Sequence, residues 1–432
     1  MKKILTILVA ILIASTTSFA QGVSEEWFEV TVTITDSSMV SSEEIIVTDA
    51  VNYALPSTGH ALSLDGIGNP VFHIWSPGNP DNVFLGRFGR VEFQGGSWTG
   101  VGSEIDITPI FYYFSEDLEV FETYSPQDTL DGHVLQFMDD GTIVNLTQSV
   151  EYLDSLDFPV LWTEWSIDYG NGEYENISLR DQYESLDIES YGTYSGPGGS
   201  ILYYDALHGN SVDLKDLNSS TFCIGGTNRT IDEVLIMKDQ FSFRSFFHFG
   251  GPLNEFTYLN DEVLSFKGHD LRFLEVAENT VLLSFFSNGD GSSIGGTYAA
   301  GKVVMLDLQN MTAELISQTI LPGGLYSSAM GSYDSETGNF CPGMWMENGN
   351  NLSRVLSLDL DLQGNEFRRI THSQSEYYNS YQSHVYGVGS GAKESLLLPT
   401  LDLDCVSDGS EIIVVAEKLG LYDEFQFFVE GI

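Results

Sequence analysis

The chain has 432 residues, of which 62 are Asp or Glu and 17 are Lys or Arg, and its formal net charge at pH 7 is −45. Such an acidic surface repels phosphate backbones and anionic lipids, which excludes nucleic-acid binding and binding to anionic membranes. Hydrophobic residues make up 42% of the chain and aromatic residues 12%, enough to build a core despite the charge.

The first twenty residues have the pattern of a secretory signal peptide. A positive start at Lys2 and Lys3 leads into a short apolar run, and a small-residue cleavage site precedes Gln21. We therefore expect residues 1–20 to be removed on export. Residues 21–432 are expected to form a single domain in the periplasm or, alternatively, in the medium. No later stretch is apolar for long enough to span a membrane as a helix.

Strand signals dominate the rest of the chain, and they come as hairpins. The alternation of polar and β-branched residues over 28–35 predicts a first β-strand. The same unit then recurs: an apolar strand, a turn rich in Asp, Asn or Gly, and a second apolar strand. The predicted hairpins are 62–65 with 71–75, 111–114 with 120–124, 134–137 with 142–144, 234–237 with 243–249, 303–307 with 312–316, 355–359 with a strand after 363–365, and 412–417 with 424–429.

Repeated hairpins without a helical period between them predict an all-β fold. We expect a β-propeller of about six blades of antiparallel strands with long irregular loops, in which 21–58 supply N-terminal strands that could close the ring. A β-sandwich is the alternative, although it rarely uses so many hairpins. Segments 191–200 and 289–296 are predicted loops, and the acidic segment 167–191 is predicted to leave the propeller.

Three of the eight histidines, His133, His208 and His269, follow an Asp or a Gly next to a strand-like run. In a propeller, the loops that enter the innermost strands face the central channel, so these histidines would converge there. A single histidine is more often a hydrogen-bonded structural residue than a catalyst. Three at equivalent points of successive blades favour a functional site.

The three cysteines, Cys223, Cys341 and Cys405, form no CxxC pair, which excludes zinc ribbons and redox motifs of that kind. An exported location would allow one disulfide between any two of them. Alternatively, all three are buried as small hydrophobic residues.

Several phrases, taken in order, resemble the arylsulfotransferase family, which consists of β-propeller enzymes that move a sulfuryl group between phenols. The resemblance covers about residues 59–345. It is carried by 59–75, 131–141, 205–211 with the form Asp-x-x-His-x-Asn-Ser, 227–229 with the strand 234–238, 249–256, His269 with Asp270, and 286–289.

The resemblance implies transfer from an aryl sulfate to a phenol through a histidine that carries the sulfuryl group in between, without a nucleotide donor or another cofactor. Such a reaction needs a nucleophile in line with the leaving group and donors on the sulfate oxygens. By position in the family pattern, the catalytic candidates are His208 and His269. The substrate-binding candidates are Asn210, Asn288, Arg229 and His133.

Two features of the family are absent from the chain. Segment 298–301 has no Arg, and segment 327–334 has no His. A degenerate propeller that binds a sulfated or phenolic ligand, or a partner protein, without turnover is therefore an alternative. A surface protein whose acidic loops bind structural calcium is a third alternative, with 288–291 as a candidate loop.

Overall fold

The structure is a computed structural model. It describes residues 30–40, 44–49, 59–64, 70–76, 83–85, 91–95, 99–100, 105–106, 110–114, 121–124, 130–138, 142–153, 156–170, 172–188, 193–195, 201–205, 207–218, 221–240, 243–260, 267–289, 298–322, 326–327, 329–343, 345–347, 350–351, 355–361, 363–372 and 383–386. For the strands between 44 and 133 the description is of backbone pairing.

Almost all of the described elements are β-strands. The strands of the first half are β1 (Val30–Ile34), β2 (Glu44–Asp49), β3 (Gly59–Leu64), β4 (Pro70–Ser76), β5 (Val83–Leu85), β6 (Val91–Gly95), β7 (Thr99–Gly100), β8 (Ile105–Asp106), β9 (Ile110–Phe114), β10 (Phe121–Tyr124), β11 (Leu130–Phe137), β12 (Ile143–Glu151), β13 (Val160–Asp168), β14 (Tyr174–Ser178), β15 (Thr193–Ser195) and β16 (Ile201–Asp205). A short 3-10 helix, Arg180–Tyr183, follows β14.

The strands of the second half are β17 (Gly209–Asn218), β18 (Thr221–Asn228), β19 (Glu233–Gln240), β20 (Phe243–Gly250), β21 (Thr257–Tyr258), β22 (His269–Val276), β23 (Thr280–Ser287), β24 (Ala300–Asp307), β25 (Thr312–Ile320), β26 (Tyr326–Ser327), β27 (Ser332–Asp334), β28 (Asn339–Cys341), β29 (Trp345–Glu347), β30 (Asn350–Asn351), β31 (Val355–Leu360), β32 (Glu366–His372) and β33 (Ser383–Tyr386).

The described strands form several sheets, six of which have four or more strands. Their strand orders are β33-β2-β3-β4, β10-β9-β6-β5, β11-β12-β13-β16-β15 with β14 on β13, β17-β18-β19-β20, β21-β25-β24-β23-β22, and β1-β32-β31-β28-β27. Pairing is antiparallel except between β13 and β16 and between β21 and β25. The all-β prediction is therefore confirmed.

The predicted hairpins recur as neighbouring antiparallel strands wherever the structure describes them. Examples are β3 with β4, β9 with β10, β19 with β20, β24 with β25, and β31 with β32. The hairpin 412–417 with 424–429 lies outside the described residues. These pairs formed as predicted because apolar alternation and a polar turn are both local signals.

Two segments differ from the prediction. Part of the acidic segment 167–191 stays on a sheet, since β14 pairs with β13 from Tyr174 to Ser178. Within the predicted loop 191–200, Thr193–Ser195 forms β15 and pairs with β16. In both places an edge strand takes polar residues that carry little hydrophobic pattern, which is why the sequence did not reveal them.

The hydrophobic core lies between successive sheets. Trp165 of β13 packs with Val212 of β17 in one cluster. Ile236 of β19 packs with Phe273 of β22 in the next. The third cluster contains Phe286, Tyr333 and Leu358 and therefore joins β23 to β27 and β31. Four consecutive sheets are thus stacked face to face.

The first strands of these sheets contact one another in sequence order: β11 contacts β17, β17 contacts β22, β22 contacts β27, and β27 contacts β33. Strand β5, which belongs to the sheet β10-β9-β6-β5, contacts both β2 and β11. None of the described segments is a helix long and apolar enough to cross a membrane.

Of the two cysteines within the described residues, Cys223 is a free, buried thiol and Cys341 is also buried. Burial raises the pKa of the Cys223 thiol from its ordinary 9.0 to about 12, so the group stays protonated and unreactive. Cys223 therefore behaves as a small hydrophobic residue, as the second of the two alternatives expects of it. Cys405 lies outside the described residues.

Candidate functional site at one edge of the sheets

The candidate residues from the sequence lie at matching ends of neighbouring sheets. In the sheet of β17–β20, strand register places Gly209 beside Asn228, Asn228 beside Glu233, and Glu233 beside Gly250. His208 and Arg229 flank this edge. In the next sheet, β22 begins at His269 and β23 ends one residue before Asn288.

The edges of these two sheets face the same way, because β17 and β22 run in the same direction. The backbone N–H of Leu271 donates to Ser211 Oγ at 3.0 Å, and that of Phe273 donates to Asp213 Oδ2 at 2.6 Å. We call the common border formed by 207–211, 228–233, 248–251, 267–270 and 287–288 the polar edge.

Each first strand near the polar edge carries a β-bulge. The bulge of β17 lies between Gly209 and Ser211, so that Asn210 is the extra residue. In β22 the register shifts between His269 and Arg272, and in β11 it shifts between 130 and 135, a stretch that includes His133. Bulges redirect side chains and are common beside functional sites.

His208 is held by the carboxylate of Asp205. Its Nδ1 lies 2.6 Å from Asp205 Oδ2, and both side chains are largely buried, 20% and 15% exposed. The hydroxyl of Thr163 donates to the Leu207 carbonyl and accepts the Gly209 N–H at 3.2 Å, which fixes the backbone on either side. With Nδ1 directed at Asp205, chemistry at this ring would have to use Nε2.

Asn210 is 1% exposed, yet neither atom of its side-chain amide has a hydrogen-bond partner among the described residues. The second carboxylate oxygen of Asp205, Oδ1, is also buried without a partner there. Each such atom costs about 1–3 kcal/mol. The segment around His208 therefore contains a buried donor and buried acceptors that have no hydrogen-bond partner among the described residues.

The backbone of Arg229 contacts the segment that carries His208. Its N–H donates to the His208 carbonyl at 2.9 Å. The side chain is partly exposed, and no described residue accepts a hydrogen bond or forms an ion pair with its guanidinium. Among the described residues no carboxylate is paired with Arg229, and a guanidinium in that situation is suited to bind an anion.

His269 has a different environment from His208. Its Nδ1 lies 2.7 Å from both the Lys267 carbonyl and Asn288 Oδ1, which are acceptors, so Nδ1 carries the proton. Its Nε2 accepts the Met330 N–H at 3.2 Å. The ring is 1% exposed. Both nitrogens are therefore engaged inside the protein.

Asn288 completes this arrangement, because its amide nitrogen donates to the Met330 carbonyl at 2.7 Å. The structure thus brings His269 and Asn288 together in a buried network that anchors the turn before β27. Asn288 is 0% exposed. Of the candidate calcium loop, Asp290 and Gly291 lie outside the described residues. Among those described, no three His, Cys, Asp or Glu side chains are grouped so as to hold a metal ion.

The candidates therefore fall into two groups, His208 with Asn210 and Arg229, and His269 with Asn288. His133 lies in β11, and its side chain is outside the described set. His372 and His384 lie in β32 and β33, again with only the backbone described.

Sequence reasoning missed a third group on the polar edge. His248 Nδ1 lies 2.8 Å from Glu233 Oε1, and the Tyr183 hydroxyl donates to Glu233 Oε2 at 2.5 Å. Glu233 is 0% exposed, Tyr183 1% and His248 8%. Burial, and then the charge of Glu233, raise the pKa of Tyr183 well above its ordinary value, so this hydroxyl remains a donor. The available signal was the position of His248 next to the Gly250–Gly251 turn.

The fold and this site define an all-β protein of stacked antiparallel sheets with a polar, histidine-rich border. No family model and no curated protein match the chain. Two crystal structures of the NanB sialidase from Streptococcus pneumoniae, one with a substituted ethanesulfonate and one of a point mutant, match at 9% identity and TM-scores of 0.30 and 0.31. The match covers 79% of this chain and 57% of the sialidase chain.

Proposed function

We propose that the six larger sheets are the blades of a β-propeller. The order of contacts supports it: β11, β17, β22, β27 and β33 touch in turn, β33 pairs with β2, and β5 contacts β2 and β11. A ring of this kind would place the first strand of every blade at the axis and the polar edge around one mouth of the channel.

On this scaffold we propose an arylsulfotransferase-like function: an aryl sulfate gives its sulfuryl group to His208, which passes it to a phenol. The observation that carries the proposal is the 2.6 Å contact between His208 and Asp205, next to the unpartnered amide of Asn210. A carboxylate that orients an imidazole through one nitrogen prepares the other for nucleophilic attack.

In the first step Nε2 of His208 would attack sulfur, and the bond from sulfur to the aryl oxygen would break, releasing a phenolate. Arg229 and the Asn210 amide are the groups available for the sulfate oxygens, whose charge must be held during transfer. In the second step a phenol loses its proton to water and its oxygen attacks sulfur. The bond from sulfur to nitrogen breaks, its electron pair returns to Nε2, and the ring is regenerated. His269 acts by positioning the turn at Met330 and Gly331.

A second candidate function is binding of a sulfated or phenolic ligand without turnover. The engagement of both His269 nitrogens favours it, because only one of the two predicted catalytic histidines is then placed to react. Such a protein would be stabilised by the ligand without consuming it.

The test uses the exported chain with p-nitrophenyl sulfate as donor and phenol as acceptor, following phenolate release and the mass of the protein. We expect release with an adduct of one sulfuryl group on the His208 peptide. His208→Asn should lower the rate by about 100-fold or more. Arg229→Gln should raise KM, whereas Arg180→Gln, which removes an exposed ion pair with Glu151, should not.

A thermal shift with the donor but no release and no adduct would leave binding as the function. Equal rates for wild type and His208→Asn would rule out His208 as the group that carries the sulfuryl group. His269→Gln serves as a stability comparison, since it should lower the melting temperature and leave any adduct on His208.

A further inference from the structure

Strand β13 contacts both members of the pair formed by Asp205 and His208. Asp205 is the last residue of β16, and its backbone is paired with β13 in parallel register. Further along β13, the Thr163 hydroxyl donates to the Leu207 carbonyl and accepts the Gly209 N–H at 3.2 Å. One strand therefore fixes the chain on both sides of His208 and also the residue whose carboxylate holds its ring.

The Thr163 side chain fits this position through both its hydroxyl and its methyl group. The residue is 3% exposed, and a hydroxyl is the group that can donate to the carbonyl and accept from the N–H with a single atom. Its methyl carbon Cγ2 lies 2.6 Å from the place that a Cβ on Gly209 would take. The backbone of Gly209 is not in the left-handed region, so the methyl group is what requires a glycine there.

The carbonyl of His208 is bonded from another strand. The Arg229 N–H donates to it at 2.9 Å, and the Leu207 side chain is buried in the first core cluster. Three consecutive main-chain groups, two carbonyls and one N–H, therefore have fixed partners. Because a 1 Å shift of a reacting group can slow a reaction by about 100-fold, the bonds to Thr163 would matter for any chemistry at the ring.

We propose that Thr163 is a positioning residue, which keeps the His208 ring on Asp205 and directs its Nε2 at the bound aryl sulfate. The direction toward an aryl sulfate rests on the function proposed above, whereas the effect on the Asp205 contact does not. Loss of the Thr163 hydroxyl would free residues 207–209 and let the ring turn away from the carboxylate.

The Asp205 contact can be followed without turnover, through the proton on His208 Nδ1. A proton held in a charge-assisted hydrogen bond of this kind gives a far-downfield ¹H resonance, assigned here by its loss in His208→Asn. Thr163→Val should broaden this resonance beyond detection, because the bonds on both sides of the ring are removed and the proton then exchanges with water. Thr163→Ser, which keeps the hydroxyl, should retain it.

Thr147→Val is the matched control for Thr163→Val. Thr147 is 1% exposed and lies on the neighbouring strand β12, opposite Glu164 and so on the other face of the same sheet. Its hydroxyl has no hydrogen-bond partner among the described residues. The same substitution there should leave the resonance and the rate of phenolate release unchanged. Melting curves verify that each variant is folded.

A second set of variants tests the methyl group and leaves the hydroxyl in place. Gly209→Ala should remove the resonance, because the new Cβ would collide with Thr163 Cγ2. Combining Gly209→Ala with Thr163→Ser should restore it, since Cγ2 is then absent. A double variant that behaves like Gly209→Ala alone would contradict the positioning role.

Turnover of p-nitrophenyl sulfate gives an independent readout. We expect Thr163→Val to lower kcat by about tenfold or more, because Nε2 is no longer held in line with sulfur. KM should stay within about twofold of the wild-type value, because Arg229 and Asn210 remain to bind the sulfate.

A resonance that persists in Thr163→Val, or that is absent from the folded wild type, would overturn the proposal. So would a raised KM with kcat unchanged, since that pattern belongs to a loss of binding alone. If the resonance follows the expected order but the wild type releases no phenolate, the sulfuryl-transfer function fails and the positioning of His208 by Thr163 stands.

Discussion

At the scale of single residues, buried side chains on the first strands tie neighbouring sheets together. Asp213, 0% exposed, accepts the Gln136 amide at 2.6 Å and the main-chain N–H groups of Leu214 and Phe273 at 2.9 and 2.6 Å. Asp270 does the same further along: it is bound by Arg272 and accepts the Tyr333 N–H at 3.0 Å. Each of these carboxylates thus accepts a main-chain N–H from a neighbouring sheet, a hydrogen bond that strand pairing within one sheet cannot provide.

Replacing Asp213 should therefore destabilise the whole molecule. Asp213→Ala removes one buried acceptor from three donors, and we expect a loss of about 3 kcal/mol in the free energy of unfolding. Urea unfolding followed by tryptophan fluorescence measures it. Asp361→Ala is the matched control, because this exposed aspartate also accepts main-chain N–H groups but only within its own turn. Equal urea midpoints for the two variants would contradict the bridging role.

At the scale of strands, close approach between sheets depends on small residues. A Cβ on Gly301 of β24 would lie 2.3–2.5 Å from ring atoms of Tyr333. That ring has no room to move, since it is 3% exposed and stacks on Phe340 with centroids 4.6 Å apart. The sheet of β21–β25 can rest on the next one only because position 301 lacks a side chain.

Gly301→Ala is expected to cost about 1–3 kcal/mol through overpacking. Gly364→Ala is the control: its φ of +78° disfavours alanine, but the nearest atom would be 3.7 Å away, so it reports backbone strain alone. In a double-mutant cycle, Gly301→Ala with Tyr333→Leu should cost less than the sum of the two single changes. Additive costs in urea unfolding would show that the ring is not the obstacle.

The strands also show which features of the fold the sequence could predict. Hairpins such as β24 with β25 were predictable, because strand alternation and turn residues are both local. The bulge at Asn210 was not, since it depends on the register between two strands. The dyad of His248 and Glu233 also relies on Tyr183, 50 residues before Glu233, in a segment predicted to leave the fold. For the candidate site, the sequence could predict that several of its residues lie at the ends of strands. It could not predict which side chains pair with one another there.

At the scale of the whole molecule, the N-terminal part of the described chain is joined to its C-terminal part. Strand β1 is the edge strand beside β32, with Val32 opposite Ile370. Strand β2 pairs with β33 across Ile46 and His384. Two sheets therefore contain strands from both parts of the described chain. A net charge of −45 favours expansion of the chain and so opposes this pairing of its two ends.

Because β1 completes a sheet that contains β31 and β32, a break in it should weaken the entire fold and not only one end. Thr35 donates its N–H to the Phe367 carbonyl, and hydrogen-bonded positions alternate along an antiparallel pair, so Thr33 opposite Arg369 is also such a position. Thr33→Pro therefore removes a main-chain donor within the β1–β32 ladder, and we expect a loss of about 3 kcal/mol. The probe is fluorescence of the tryptophans, among them Trp162 and Trp165 on the distant β13, together with circular dichroism. Coincident transitions would show that the ends unfold with the rest.

Ser37→Pro is the matched control for Thr33→Pro. Ser37 follows Asp36 in a turn closed by the Met39 N–H on the Asp36 carbonyl, a position where proline is favoured, so its melting temperature should equal that of the wild type. If Thr33→Pro lowers only the circular-dichroism signal and leaves the fluorescence transition unchanged, β1 is a frayed edge. Among the described strands, the two ends would then be held together by the pairing of β2 with β33.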